Sequence, residues 1–379
     1  MAPTLTTIPL VDLSIQHAPI QDEINGAIAQ VMDHGWYVLG PEVKAFEAQF
    51  AAACGVDYAV GVGCGTDAIA LGLEAIGVGA GDEVILPANT FVATLVGVER
   101  AGATPILVDC DPETALMDLA ATEAAITEKT KAIIPVHLYG QLVDPKALLT
   151  LAERTGVMIF EDASQAHLAE RDGYVAGSIG VASAFSFYPG KNLGGIGDGG
   201  SLVTRDESVA AKMRSLRNYG APKKYFHADR GTNSRLDTIQ AAVLGVKLPH
   251  LAQWNGQRNQ AAQWYDEGLR SLASAGIRPM VNVSDRGHVY HLYVIRVGRD
   301  CKLNREQVQA ALKDQGISTG IHYPIPCHLQ PAYADLGWGE GCFPASEALS
   351  QEILSLPMFP GLDRATVDRI VTEIGRVVA

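Results

Sequence analysis

Ser186-Phe187-Tyr188-Pro189-Gly190-Lys191-Asn192-Leu193-Gly194-Gly195 puts a single lysine into a glycine- and proline-rich loop. The loop follows directly on an apolar run at 182–187. About two dozen residues upstream, a second apolar run at 157–160 stops on two carboxylates, Glu161 and Asp162, followed by Ala163-Ser164-Gln165. A buried parallel strand whose carboxyl end opens into a site has this form.

Working outward, residues 55–205 alternate apolar strands with amphipathic helices. Strands are expected at 58–62, 83–86, 105–108, 132–136, 157–160 and 182–187, and helices at 66–76, 90–100, 119–126 and 145–155, with Asp118 as an N-cap. The alternation predicts an α/β fold: a mostly parallel central sheet with helices on both faces, plus residues 200–204 as an antiparallel partner. Beyond it, Leu236, Ile239, Val243 and Val246 share a helical face that Leu248-Pro249 ends, and a polar helix at 251–269 bridges to a second unit. That unit has strands near 289–297 and helices near 305–315 and 345–354. The domain reading is 1–40 as a segment packing on the smaller domain, 41–250 as the large domain, and 251–379 as a smaller α+β domain.

Composition narrows the class. A formal charge of −13 over 379 residues argues against a general nucleic-acid binder. The first residues lack a signal-peptide pattern, and apolar segments are too short to span a bilayer. The six cysteines (54, 64, 110, 301, 327, 342) have no paired spacing, which fits reduced thiols in a cytoplasmic protein. His322, Cys327 and His328 match no familiar zinc spacing, so no metal is expected.

Lys191, Asp162 and a glycine turn form a chemical set. A lysine can form a Schiff base with an aldehyde cofactor and then carry protons; a carboxylate can hold a pyridine nitrogen protonated. Ser186 can reach a phosphate, and Gln165 either a ring hydroxyl or Asp162 itself. The bland alternative for Asp162 is the N-cap of a helix starting near Ser164; His167 reads as packing. Gly61-Val62-Gly63-Cys64-Gly65-Thr66 opens a helix whose N-terminus suits a phosphate. It departs from the dinucleotide fingerprint Gly-x-Gly-x-x-Gly, so a nicotinamide-dependent reductase is the weaker reading. Phe91 is placed to stack on a pyridine ring. From Lys212 to Arg235, seven basic residues face one acid, a local +6. A solvated helix face accounts for Lys212, Arg214 and Arg217, and the rest suit a diphosphate with a base stacked on Tyr225.

These stretches resemble the DegT-like sugar-nucleotide aminotransferases, pyridoxal 5'-phosphate (PLP) enzymes of fold type I, over nearly the whole length. The matching residues are Gly-Thr-Asp-Ala at 65–68, Glu-Asp-Ala-Ser-Gln-Ala-His at 161–167, the 186–194 stretch, Gly-Asp-Gly-Gly at 197–200, Arg-Asn-Tyr-Gly at 217–220, Gly-Thr-Asn-Ser-Arg-Leu-Asp at 231–237, His-Tyr-Pro at 322–324 and Leu-Ser-Leu-Pro at 354–357. The resemblance implies catalysis by Lys191 and Asp162 and cofactor contacts from Gly65, Thr66, Ser186 and Asn233, beside Phe91 and Gln165 from the residue reading above. Asn233 would reach the neighbouring subunit's cofactor, making a homodimer with shared sites. Tyr188, Lys224, Tyr225, Arg235, His322 and Tyr323 would contact substrate. Dehydratase members carry histidine in place of the lysine, so Lys191 implies transamination: L-glutamate as donor and a nucleotide-linked keto-deoxysugar as acceptor, most like C-3 of a dTDP-3-keto-6-deoxyhexose. Amination at C-4, a UDP-linked sugar, and a non-catalytic PLP-binding regulator are the rivals. Ser164 and Leu168-Ala169-Glu170 depart from the family pattern, and Leu168 is expected to narrow the pocket behind the cofactor.

Overall fold

The computed structural model describes residues 7–379; Met1–Thr6, the start of the expected N-terminal segment, lies outside the described residues. The central sheet comprises β1 (Tyr58–Val62), β2 (Glu83–Pro87), β3 (Thr104–Val108), β4 (Thr130–Ile133), β5 (Met158–Asp162), β8 (Ala182–Ser186) and β9 (Gly200–Thr204). A two-strand hairpin, β6 (Glu170–Arg171) and β7 (Tyr174–Val175), interrupts the chain order. The spatial order is β1-β9-β8-β5-β4-β2-β3. All neighbours are parallel except β9, which runs antiparallel to both β1 and β8. The antiparallel strand is thus built into the sheet rather than hung on its edge. Its burial, complete from Gly200 to Thr204, follows from covering on both faces.

The helices form where expected. Asp118 accepts hydrogen bonds from the Ala120 and Ala121 N–H groups and starts Leu119–Ala124; Pro145–Thr155 begins on Asp144 and ends on Gly156, whose φ of 74° a side chain would disfavour. Helix Leu251–Leu269 joins two cores. Leu251 belongs to the core around the large sheet, and Ala261, Ala262, Tyr265 and Leu269 to a second. The second core covers an antiparallel sheet of β10 (Ile277–Pro279), β11 (Tyr293–Val297) and β12 (Ile353–Leu356).

Three expectations change. The helix near 345–354 spans Pro344–Glu352, and the chain then turns into β12. Pairing with β11 buries Ile353 in the larger core and Leu354 and Leu356 in the second, which outweighs continued helix. The N-terminal segment also divides. Ile8 and Leu10 hydrogen-bond to the smaller domain at Gly316, Ser318 and Met358. Helix Gln21–His34 packs instead on the large domain's Thr238–Lys247, with Ile20 and Ile24 against Val243 and Trp254. Arg217, expected on a solvated face, is buried, and its guanidinium donates to Glu47 Oε1 (2.5 Å) and Gly61 O (2.6 Å). No helix among the described residues is long and apolar enough to cross a membrane.

Candidate active site

Consecutive side chains on a strand point to opposite faces, so the carboxylates that end β5 part company. Glu161 turns into the protein. Its two oxygens accept from Gly177 N, Ile179 N, Gly180 N and the His137 ring at 2.9–3.0 Å. His137 Nδ1 accepts from Val143 N (3.2 Å), so Nε2 carries the proton given to Glu161. Glu161 is therefore the anchor of the 177–180 turn. Glu161→Gln puts an amide N–H against backbone donors and is expected to cost about 3 kcal/mol in urea unfolding, with the cofactor site intact in whatever folds.

Asp162 turns the other way, into a cleft of about 430 Å³ at the carboxyl ends of the parallel strands. Its Oδ2 accepts from Thr94 Oγ1 (2.8 Å) and its Oδ1 from Ser164 N (3.1 Å). Because Thr94 gives its proton to Asp162, Thr90 must donate to Thr94 across their 2.8 Å contact. No helix begins at Ser164, which removes the N-cap alternative for Asp162.

Lys191 enters the same cleft from the loop after β8. The loop is tight: Lys191 N donates to Tyr188 O (2.9 Å), and a Cβ on Gly194 would sit 2.3 Å from Pro189 O. Burial lowers the Lys191 amine to about 8, with the Asp162 charge pulling in the opposite direction. Burial likewise lowers His167 to about 3 and His322 to about 4, and the Lys191 charge adds to both.

The third corner is the N-terminus of helix Gly65–Ala75. Cys64, its N-cap, offers no side-chain hydrogen bond, so the first-turn N–H groups stay open to an anion. A Cβ on Gly65 would come within 2.7 Å of Ser186 Cβ, and this close approach joins the helix end to the Ser186 hydroxyl. Gly65, Thr66, Phe91, Gln165, Tyr188, His322 and Tyr323 line the cleft with Ser186, Asp162 and Lys191. Phe91 meets the Tyr323 ring at 5.2 Å. Gln165 does not bond Asp162. Its Oε1 accepts from Tyr139 N (2.8 Å) and its Nε2 donates to Tyr323 Oη (3.1 Å), leaving one amide proton.

Four expected residues lie elsewhere. Lys224 and Tyr225 are exposed, with the ammonium 5.1 Å from the ring centroid. Arg235 donates to Asn218 Oδ1 (2.9 Å) and lies over Tyr219, and Asn233 is exposed beside it. Leu168 does not narrow the cleft: it lines a separate polar groove with Glu170, Arg171 and Asn255. Thr94 and His291 line the cleft unforeseen. Thr94 had a faint signal, its spacing of one helical turn from Thr90; His291 had none.

An amine, a facing carboxylate, an aromatic ring and an open helix N-terminus suit a phosphorylated pyridine aldehyde, and the residues fit PLP. The model of the DegT/DnrJ/EryC1/StrS aminotransferase family matches residues 19–375. The "Erythromycin biosynthesis sensory transduction protein EryC1" of Saccharopolyspora erythraea is 46% identical, covering 97% of this chain and 98% of its own. The dTDP-3-amino-3,4,6-trideoxy-alpha-D-glucose transaminase of Streptomyces venezuelae is 45% identical, with 97% and 95% covered. A UDP-N-acetyl-3-dehydro-alpha-D-glucosamine 3-aminotransferase of Acidithiobacillus ferrooxidans is 43% identical, with 98% of both covered. The crystal structure of S. venezuelae DesV superposes with a TM-score of 0.93 at 45% identity over 98% of each chain. That of Bacillus subtilis ntda with bound cofactor PMP gives 0.89 at 30% identity over 100% of this chain and 86% of its own.

Proposed function

Because the chain belongs to the DegT/DnrJ/EryC1/StrS aminotransferase family, we propose that it moves an amino group from L-glutamate to C-3 of a dTDP-linked 3-keto-6-deoxyhexose. It is a sugar-nucleotide aminotransferase, and its cofactor is PLP. The observation that carries the reading is the convergence of Lys191, Asp162 and the helix end at Gly65 in one cleft.

When bound, PLP supplies the aldehyde that takes up the amine and the ring that draws off electrons from the substrate carbon. Asp162, oriented by Thr94 and the Ser164 N–H, holds a proton on the ring nitrogen. Gly65, Thr66 and Ser186 receive the phosphate. Lys191 Nζ lifts a proton from one carbon and returns it to the next. An amine lowered to about 8 is half free base at that pH, where an ordinary lysine has less than about 1%.

Both substrates are anions, yet among the described residues Lys191 is the only lysine or arginine lining the cleft, beside Asp162 and Asp198. Cations must come from outside this chain's own wall. The exposed basic loop carrying Lys224, Arg230 and Arg235 can supply them from a second copy, with Asn233 reaching the phosphate. Exposed Trp36, Tyr37, Tyr219 and Phe226 give such a homodimer an apolar face. Lys224→Ala and Tyr225→Ala are therefore expected to raise KM for the sugar nucleotide about 10-fold, while sparing the glutamate half-reaction. Equal effects on both halves would remove this loop from sugar-nucleotide recognition. His322 and Tyr323 contact the hexose in this reading, with Tyr188 at the cleft mouth.

The reading is tested by incubating the enzyme with glutamate and a panel of keto-sugar nucleotides and assigning products by NMR. An amine at C-3 of a dTDP-sugar with release of 2-oxoglutarate is expected. Preferred amination at C-4 or of a UDP-sugar would overturn the substrate assignment, and no turnover with any member would favour a regulator.

A further inference from the structure

The smaller domain sends one histidine into the cleft that the chemistry above leaves unused. His291 lines the cleft with Lys191, and its Nδ1 lies 3.2 Å from Oδ1 of Asn192, the residue next to Lys191. Asn192 is 1% exposed. Its amide nitrogen donates to Asn255 Oδ1 (2.9 Å) and to the Val289 carbonyl (2.8 Å), while Asn255 donates onward to His167 O (2.9 Å). A flipped Asn192 would set its oxygen against the Val289 carbonyl, so the network assigns Oδ1 as the acceptor and places the proton on His291 Nδ1. A neutral ring then keeps its lone pair on Nε2, which has no hydrogen-bond partner among the described residues.

The surroundings hold the ring neutral. Burial keeps His291 well below the usual imidazole range, and the charges of Lys191 and Arg258 push the same way, as His322 and His167 would if protonated; Asp162 faces Lys191 instead. The segment is also held at some conformational cost. Tyr290 adopts φ 41°, unfavourable for a bulky residue, and its ring stacks on His288 at 3.8 Å. The Tyr290 and His291 carbonyls accept from the buried Arg258 guanidinium at 3.0 and 3.4 Å.

We propose that His291 is a positioning residue for the Lys191 amine. Fixed by Asn192 as the Nδ1-protonated tautomer, this cleft-lining ring keeps Nε2 unprotonated and unpartnered, free to accept from Lys191 Nζ and align it once the amine takes up its proton. A second carboxylate here would align the amine equally well, but would restore its charge and spoil it as a base. The inference rests on the reading of Lys191 as the proton carrier.

Two measurements on the holoenzyme test it. Imidazole nitrogen NMR should find His291 as the Nδ1–H tautomer throughout the range where an ordinary histidine titrates. An Nε2–H tautomer or an imidazolium in that range overturns the proposal. His291→Phe should then lower kcat of the amino-donor half-reaction about 100-fold with KM nearly unchanged. Losing an acceptor of the ammonium should also move the lysine-governed limb of the pH profile to lower pH. His291→Gln, which keeps an acceptor near the Nε2 position, should recover part of both. Loss of rate in both variants with an unmoved limb would make His291 a packing residue only. Failure of the lysine reading is distinguishable, since it would appear in the unsubstituted enzyme as cofactor bound elsewhere than Lys191.

Discussion

Lys191→Ala is expected to lower transamination by about 10⁴-fold and to leave the protein folded. Among the described residues lining the cleft, Lys191 carries the one side-chain amine, able both to form a Schiff base with an aldehyde carbon and to move a proton between two carbons. Its removal deletes a half-buried cation rather than a packed apolar group, so stability should hold or rise. Lys247, a fully buried lysine, cannot stand in. Its ammonium is tied to the Gly194 carbonyl and to His17 Nε2, on the far side of the loop that carries Lys191. Added small amines should restore part of the proton transfer in Lys191→Ala. Full activity in the variant would show that another residue performs the chemistry.

Asp162→Asn carries the second large effect, a loss of about 10²–10³ in kcat with little change in shape. The Ser164 N–H still has an oxygen to meet, and the Thr94 hydroxyl can turn to accept from the new amide. What goes, on the proposed reading, is the charge that would hold a proton on the cofactor ring. The same charge raises the Lys191 amine against the lowering by burial. Without it the amine must fall further below about 8, so the limb of the kcat–pH profile governed by Lys191 should move to lower pH. A loss of rate with that limb unmoved would mean the two groups do not face one another in solution.

Local signals explain which parts of the molecule the sequence made legible. β1, β9 and helix Pro145–Thr155 stand at the expected bounds, because short apolar runs, a proline, an Asp cap and a terminal glycine act over a few residues. Lys191, Asp162, Ser186 and the turn at Gly65 were visible because each sits on a strand end or helix start with its own motif. Glu161 and Asp162 were adjacent letters, and strand alternation alone separates anchor from cleft. The rest depends on tertiary pairing. β12 forms because β11 offers it a partner, and Arg217 is buried because Glu47, 170 positions away, meets it. Gln165 reaches Tyr139 and Tyr323, contacts that no local motif announces. His291 comes from the other domain, about 100 positions from Lys191, whose neighbour Asn192 it meets, and nothing around it in the sequence marks it.

Reduction of the purified holoenzyme with borohydride, followed by peptide mass mapping, tests the central assignment most directly. The cofactor mass should appear on the peptide bearing Lys191, and Lys191→Ala should lose both that mass and the visible absorption band. The same mass on the peptide of Lys247, or a band that survives in Lys191→Ala, would contradict the assignment.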